Sequence, residues 1–208
     1  KGSVIMERLI CVLVGYVFGL IQTGYIYGKK NGVDLRKKGS GNAGTTNALR
    51  TMGWKAGAVT LLGDCFKCVA AVVVVHLIYG KTHTDMMPLL SMYAGMGAVL
   101  GHNYPFYLKF KGGKGIAATA GLIISTTNIW IVLICLAAFI AIVAATRYVS
   151  LGSMTVVIIY LISVIVYGQH GGFGVENVSY LHEMYGVAAF LMILAFWRHR
   201  ANIKRLLS

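Results

Sequence analysis

Residues 101–119, GHNYPFYLKFKGGKGIAAT, are a basic, glycine-rich stretch placed between two long apolar segments. Lysines surround a pair of glycines, and a further glycine begins an apolar run that is typical of a helix. Glycine lets backbone N–H groups turn toward a ligand, while a helix N-terminus and lysine side chains supply positive charge. The pattern favours a phosphate site, although a basic loop at a membrane surface would carry the same lysines. The residues concerned are Lys109, Lys111, Gly112, Gly113, Lys114 and Gly115.

The composition is that of a membrane protein. Of the 208 residues, 57% are hydrophobic and only 12% are charged, and the mean hydropathy is +0.72. These values predict a polytopic, all-α membrane protein. The net charge of +13 resides in loops without interleaved aromatic residues, so anionic lipid head groups and anionic substrates fit better than nucleic acid. Cys65 and Cys68 form a lone CxxC pair, so neither a metal nor another cofactor is predicted.

Seven apolar segments predict seven transmembrane helices in a single domain, residues 1–208. Residues 1–5, KGSVI, are set aside because a processed or added start would have the same appearance. The fourth segment is short and is expected to be a short or tilted span. The predicted spans are residues 5–27, 54–79, 86–100, 115–127, 129–146, 154–167 and 184–197.

The distribution of basic residues predicts the orientation. With seven crossings the termini lie on opposite sides, and nearly all lysines and arginines then fall on one side, against Lys1, Arg8 and Lys81 on the other. The positive-inside rule makes the crowded side cytoplasmic, with the N-terminus outside and the C-terminus in the cytoplasm. This orientation gathers four polar stretches at one membrane face. They are residues 39–50, 101–119, 147–153 and 198–205.

The first of these stretches, GSGNAGTTNALR, carries short neutral side chains and one arginine. A helix that begins near Gly44 would place Thr46 and Arg50 on one face. The guanidinium of Arg50 is suited to a phosphate or a carboxylate. A helix cap followed by a surface arginine is the alternative interpretation.

Two further groups of residues are candidates for function. Asp64 and Lys67 lie two to three turns inside the second span, where ionisable groups face a cavity or a partner. A structural ion pair that locks the helices is an equally good interpretation. In the C-terminal stretch, His199, Asn202 and Arg205 are three residues apart and so share a helix face.

Three of these stretches together resemble the PlsY family, the bacterial glycerol-3-phosphate acyltransferases that use acyl phosphate. The stretches are SGNAGTTNALR, GHNYPFYLKFKGGKGIAAT and HRANIKRL. The DxxK pair of the second span and RYVSLGS at residues 147–153 are also similar to the family. The chain departs from it at Thr45, where alanine is usual, and at Leu20 and Gln22, where serine and proline are usual.

The resemblance implies transfer of a fatty acyl group from acyl phosphate to the 1-hydroxyl of glycerol 3-phosphate, giving lysophosphatidate and phosphate. It implies a multi-pass enzyme of the bacterial plasma (inner) membrane with a cytoplasmic active site. Its partners are then the two substrates and membrane lipids, with no cofactor and no obligate protein partner. The implied catalytic residues are Ser40, Arg50, Lys109, His199 and Asn202. The implied substrate-binding residues are Asn42, Thr46, Asn47, His102, Gly112, Gly113, Lys114, Ser150 and Ser153.

The residues leave the proton acceptor open between His199 and a substrate phosphate oxygen. The His-x4-Asp dyad of other acyltransferases is absent, because Tyr107 stands five residues after His102. The glycine stretch also lacks the spacing of a nucleotide P-loop. A small-headed activated donor is therefore favoured over acyl-coenzyme A. The alternative function is a transporter or channel for a small anion, which would distribute charges through the membrane depth.

Overall fold

The computed structural model describes the backbone of residues 2–208 and the side chains of residues 5–208. In this part of the chain, nine α-helices and two short 3-10 turns account for the regular structure. The turns are Leu35–Lys37 and Phe106–Leu108. The helices are α1 (Gly2–Gly19), α2 (Thr23–Lys30), α3 (Thr45–Met52), α4 (Trp54–Tyr79), α5 (Met87–Asn103), α6 (Ile116–Thr126), α7 (Ile129–Thr146), α8 (Val149–Gln169) and α9 (Val178–Leu207). Lys1 lies outside the described residues.

Five helical segments within the described residues are long and apolar enough to cross a membrane. They are Ile5–Lys30, Trp54–Tyr79, Ile129–Thr146, Val149–Gln169 and Val178–Leu207. The prediction of an all-helical chain with several candidate spans is therefore confirmed. Helices α5, with 17 residues, and α6, with 11 residues, are shorter.

Helix α5 is the centre of the bundle, and α1 packs directly against it. At the glycines of this contact, the two backbones are too close for any side chain to fit between them. A Cβ added at Gly15 would lie 1.9 Å from the carbonyl oxygen of Ala94, and one at Gly97 would lie 2.2 Å from that of Val12. Close approach at small residues is typical of helix–helix contacts in membranes.

Helix α7 lies at the edge of the bundle and faces outward with large apolar side chains. Trp130 is 71% exposed, and further large apolar side chains are exposed along the same helix. A continuous apolar outer surface is unfavourable in water and is typical of a face that contacts lipid.

The first span is broken, where we expected one continuous helix over residues 5–27. Helix α1 ends at Gly19 and α2 begins at Thr23. A break leaves backbone carbonyls without intrahelical partners, and each of three successive carbonyls here accepts a side-chain donor. The donors are Gln22 Nε2 to Gly19 (3.2 Å), the Tyr107 hydroxyl to Leu20 (2.6 Å) and Lys67 Nζ to Ile21 (2.6 Å). Gln22 thus supports the break through its bond to the carbonyl of Gly19.

Candidate active site

One cavity of about 610 Å³ lies between α3, α4 and α6–α9. One part of its wall is polar and basic, with side chains from α3, the glycine stretch and α9. The other part is apolar, with side chains from α6 and α7 that include Ile123, Ile124, Val132, Leu136 and Phe139. The cavity can therefore receive a molecule that is anionic at one end and apolar at the other.

Most of the predicted site residues line this single cavity, although they come from four distant stretches of the chain. Those at the wall are Ser40, Asn42, Thr46, Asn47, Arg50, His102, Lys114, Ser150, Ser153, His199 and Asn202. Lys109, Gly112 and Gly113 are not part of the lining. Lys109 is exposed, so its role in catalysis stays a prediction.

Asn47 holds the loop before α3 in place, and its side chain is 3% exposed. Its Nδ2 donates to the carbonyls of Leu35 (3.0 Å), Lys38 (3.0 Å) and Asn42 (2.8 Å), and its Oδ1 accepts from the N–H of Ser40 at 2.9 Å. Because these bonds use the donor and acceptor atoms of the amide, Asn47 positions Ser40 and Asn42 at the cavity. Helix α3 begins at Thr45 with Gly44 as its cap, as predicted, and Arg50 follows at the cavity wall.

The backbone N–H groups of Gly112 and Gly113 bond to the end of α5 and not to the cavity. The N–H groups of Gly112 and Gly113, expected to face a phosphate, donate instead to the carbonyls of Asn103 (3.2 Å) and His102 (3.1 Å). The physical reason is that the last carbonyls of a helix lack intrahelical partners, and α5 ends here. A Cβ at Gly113 would lie 1.9 Å from Nε2 of His102, so only glycine fits this contact.

The groups of this stretch that are suited to an anion lie just after the glycine pair. Gly115, Ile116 and Ala117 at the start of α6 line the cavity, and the first N–H groups of a helix have no intrahelical acceptors. Lys114 reaches the side-chain oxygen of Asn202. Burial, together with the positive charges of Arg205, Arg198 and Arg50, lowers the pKa of Lys114 to about 8. Four cationic groups held close together favour an anionic ligand.

His199 is buried at the cavity and is oriented by its own helix. Its Nδ1 lies 2.8 Å from the carbonyl of Ala195, one turn earlier in α9. Since a carbonyl can only accept, this bond assigns the proton to Nδ1 and leaves Nε2 as an acceptor.

The predicted pair of Asp64 and Lys67 is formed and buried. Lys67 Nζ lies 2.8 Å from Asp64 Oδ1 and 2.8 Å from Nδ1 of His102, in addition to its bond to Ile21. The side chains of Lys67 and Asp64 are 2% and 1% exposed. Lys67 is therefore structural, since it joins α4 to α5 and to the break between α1 and α2. Asp64 also lines the cavity.

The glycerol-3-phosphate acyltransferase family, represented by its family model, matches residues 9–208. The chain belongs to this family. A glycerol-3-phosphate acyltransferase of Clostridioides difficile (strain 630) is 42% identical over 205 residues, covering 98% of this chain and 94% of the relative. That of Bacillus subtilis (strain 168) is 37% identical over 200 residues, covering 95% and 92%.

The fold of this acyltransferase is similar to that of a solved relative. The crystal structure of PlsY (YgiH), an integral membrane glycerol 3-phosphate acyltransferase, in its glycerol 3-phosphate form superposes with a TM-score of 0.81. The sequences are 32% identical, and the match covers 96% of this chain and 92% of that one. The expectation of a membrane acyltransferase that acts on glycerol 3-phosphate in phospholipid synthesis is thus confirmed, and the anion transporter is set aside.

Arg198, which is not among the residues predicted from the sequence, fixes the geometry of the site in this acyltransferase. Arg198 donates from one guanidinium nitrogen to the carbonyls of Gly112 (3.1 Å) and Gly113 (2.7 Å), and its guanidinium carbon lies 5.1 Å from the centre of the Tyr104 ring. It therefore ties the glycine pair to α9, beside His199. The basic C-terminal stretch was the available signal, but a carbonyl acceptor cannot be recognised from residue types.

Proposed function

We propose that this acyltransferase takes its acyl group from an acyl phosphate and transfers it to the 1-hydroxyl of glycerol 3-phosphate. The products are lysophosphatidate and inorganic phosphate. One observation carries the proposal: the basic and apolar parts of the wall belong to one cavity. Both substrates carry a phosphate for the basic part, and the donor carries an apolar chain for the other.

The reaction requires positioning more than activation. The 1-hydroxyl oxygen attacks the acyl carbon, the bond from that carbon to the phosphate oxygen breaks, and the hydroxyl proton leaves. The basic groups around Lys114 hold the phosphates and stabilise the charge on the leaving phosphate. His199 Nε2 and a substrate phosphate oxygen are the two groups that can take the proton. Retention of most activity by His199→Gln would assign the proton to the phosphate, because glutamine cannot accept it.

The proposal is tested by incubating purified protein with palmitoyl phosphate and glycerol 3-phosphate and measuring lysophosphatidate. We expect acyl phosphate to support turnover and palmitoyl-coenzyme A not to, because no nucleotide-binding loop is present in the sequence. Inorganic phosphate should inhibit by occupying the basic part of the cavity. Efficient turnover with acyl-coenzyme A would refute the donor assignment while leaving the acceptor unaffected.

The pKa of Lys114 predicts how activity changes with pH. The ammonium group is charged below about pH 8 and loses its charge as the pH rises through that value. We therefore expect kcat/KM for glycerol 3-phosphate to fall above about pH 8, toward the value of Lys114→Ala. Lys114→Arg should move this fall to higher pH, because a guanidinium stays charged. If kcat/KM falls at the same pH in the parent protein and in Lys114→Arg, the fall is caused by another group.

We also propose seven crossings, with the N-terminus outside and the C-terminus and cavity at the cytoplasmic face of the bacterial plasma membrane. The five long spans and the shorter α5 and α6 together give this number. Helix α6, about 16 Å long at 1.5 Å per residue, is the short crossing, and we expect local thinning of the bilayer or flanking residues to make up the difference. The basic residues around the cavity support the cytoplasmic assignment through the positive-inside rule.

Labelling of single cysteines tests this orientation. Lys204 and Glu176 are exposed, one near the C-terminus and one in the loop between α8 and α9. In intact cells, Glu176→Cys should react with a membrane-impermeant thiol reagent, whereas Lys204→Cys should react only after the cells are opened. The parent protein measures the background of its four cysteines. The opposite labelling pattern would contradict the cytoplasmic site.

A further inference from the structure

Asp64 has one carboxylate oxygen that no hydrogen bond satisfies. The residue is 1% exposed, and its Oδ1 accepts from Lys67. Its Oδ2 is buried and has no partner among the described residues. Asp64 also belongs to the cavity wall, so this unpaired acceptor lies beside the site.

The neighbouring groups cannot supply the missing donor. The ammonium group of Lys67 has three hydrogens, and it has three acceptors in Asp64 Oδ1, His102 Nδ1 and the carbonyl of Ile21. His102 Nδ1 lies 3.5 Å from Asp64 Oδ1 and accepts from Lys67. A buried acceptor without a donor is unfavourable, so the site is best completed by a ligand that brings a hydroxyl.

We propose that Asp64 Oδ2 accepts a hydrogen bond from the secondary hydroxyl of glycerol 3-phosphate, which makes Asp64 a specificity-determining residue. The inference rests on the proposed function. In this acceptor, a fully ionised phosphate can only accept hydrogen bonds, so the donors are the two hydroxyls. The phosphate binds at the basic part of the wall around Lys114. The hydroxyls can then donate to Asp64, whose carboxylate is the one in the cavity lining.

The secondary hydroxyl is assigned because the primary one must lose its proton during the reaction. A carboxylate bound to an ammonium is a strong hydrogen-bond acceptor. It is a poor proton acceptor, because protonation of Asp64 would leave the buried ammonium of Lys67 without an anionic partner. Asp64 therefore recognises the acceptor and does not remove its proton.

Two analogues test the proposal in the unaltered protein. In 3-hydroxypropyl phosphate the secondary hydroxyl is missing, and in dihydroxyacetone phosphate a carbonyl replaces it; both keep a primary hydroxyl. We expect kcat/KM to be about ten- to hundredfold lower for 3-hydroxypropyl phosphate, the usual effect of a lost bond to a charged group. Dihydroxyacetone phosphate should be poorer still, because its carbonyl would face the carboxylate. Equal kcat/KM for all three acceptors would overturn the role of Asp64.

Variants then test whether Asp64 causes the preference among the acceptors. In Asp64→Asn the amide oxygen is expected to face Lys67, which places the NH₂ group where Oδ2 was. The preference for glycerol 3-phosphate over dihydroxyacetone phosphate should collapse, because NH₂ can donate to the carbonyl. Lys114→Ala, the matched control, should lower kcat/KM for every acceptor by the same factor, because all share the phosphate. Since each preference compares two acceptors on one preparation, it does not depend on the folded fraction.

Two outcomes separate this inference from the function on which it rests. No lysophosphatidate from glycerol 3-phosphate and acyl phosphate would contradict the proposed function. Product formation with a preference that Asp64→Asn leaves unchanged would overturn only the inference and would make Asp64 structural. Should Asp64→Asn fail to fold, Asp64→Glu keeps the charge but displaces it by one methylene. An unchanged preference in that variant would overturn the inference equally.

Discussion

Lys67→Met is expected to destabilise the protein by about 3–5 kcal/mol, the usual result of removing one partner of a buried ion pair. The substitution leaves the carboxylate of Asp64 buried without its ammonium and removes the donor to the Ile21 carbonyl. The protein should therefore unfold roughly 6–20 °C lower. Thermal unfolding of the purified protein in one detergent measures the change.

The matched control is Lys81→Met, which removes an exposed lysine between α4 and α5 and should change the unfolding temperature little. The double variant Asp64→Asn with Lys67→Met should be more stable than Lys67→Met alone, because the unpaired charge is gone. If Lys67→Met unfolds at the temperature of the parent protein, Lys67 does not hold the break between α1 and α2.

The convergence of the site could be predicted because two simple rules act along the whole chain. Apolar segments long enough to span a bilayer predict where the chain crosses it. Basic residues then predict the side on which the loops lie. Ser40, Lys114 and Ser150 are far apart in the sequence, yet they line one cavity. Residue types such as Arg50 and Lys114 also indicated the charge of the ligand.

The contacts made by backbone carbonyls could not be predicted, because carbonyls are the same at every residue. Backbone carbonyls accept the bonds at the break of residues 20–22. They also accept the bonds from Arg198 to the glycine pair and from the N–H groups of Gly112 and Gly113. The choice between a functional and a structural role for Asp64 and Lys67 likewise required the structure. Lys67 bonds to three groups within the fold, whereas Asp64 also lines the cavity.

Lys114→Ala and Arg50→Ala are each expected to lower kcat/KM for glycerol 3-phosphate about ten- to hundredfold. Each substitution removes a charged contact to phosphate, which is worth about 1.5–3 kcal/mol. Steady-state kinetics with palmitoyl phosphate as donor measures the loss. Lys111→Ala is the matched control, since Lys111 is exposed in the same stretch and is not part of the cavity lining.

Stability distinguishes a binding role from a structural one in these variants. Burial, followed by the positive charges of Arg205, Arg198 and Arg50, lowers the pKa of Lys114 to about 8. Removing its charge relieves repulsion, so Lys114→Ala should unfold no earlier than the parent protein while losing activity. In an anion site, neighbouring cations repel one another while the site is empty. Each of them becomes favourable once the anion is bound. Equal losses of activity in Lys111→Ala and Lys114→Ala would show instead that only the general positive charge of this face matters.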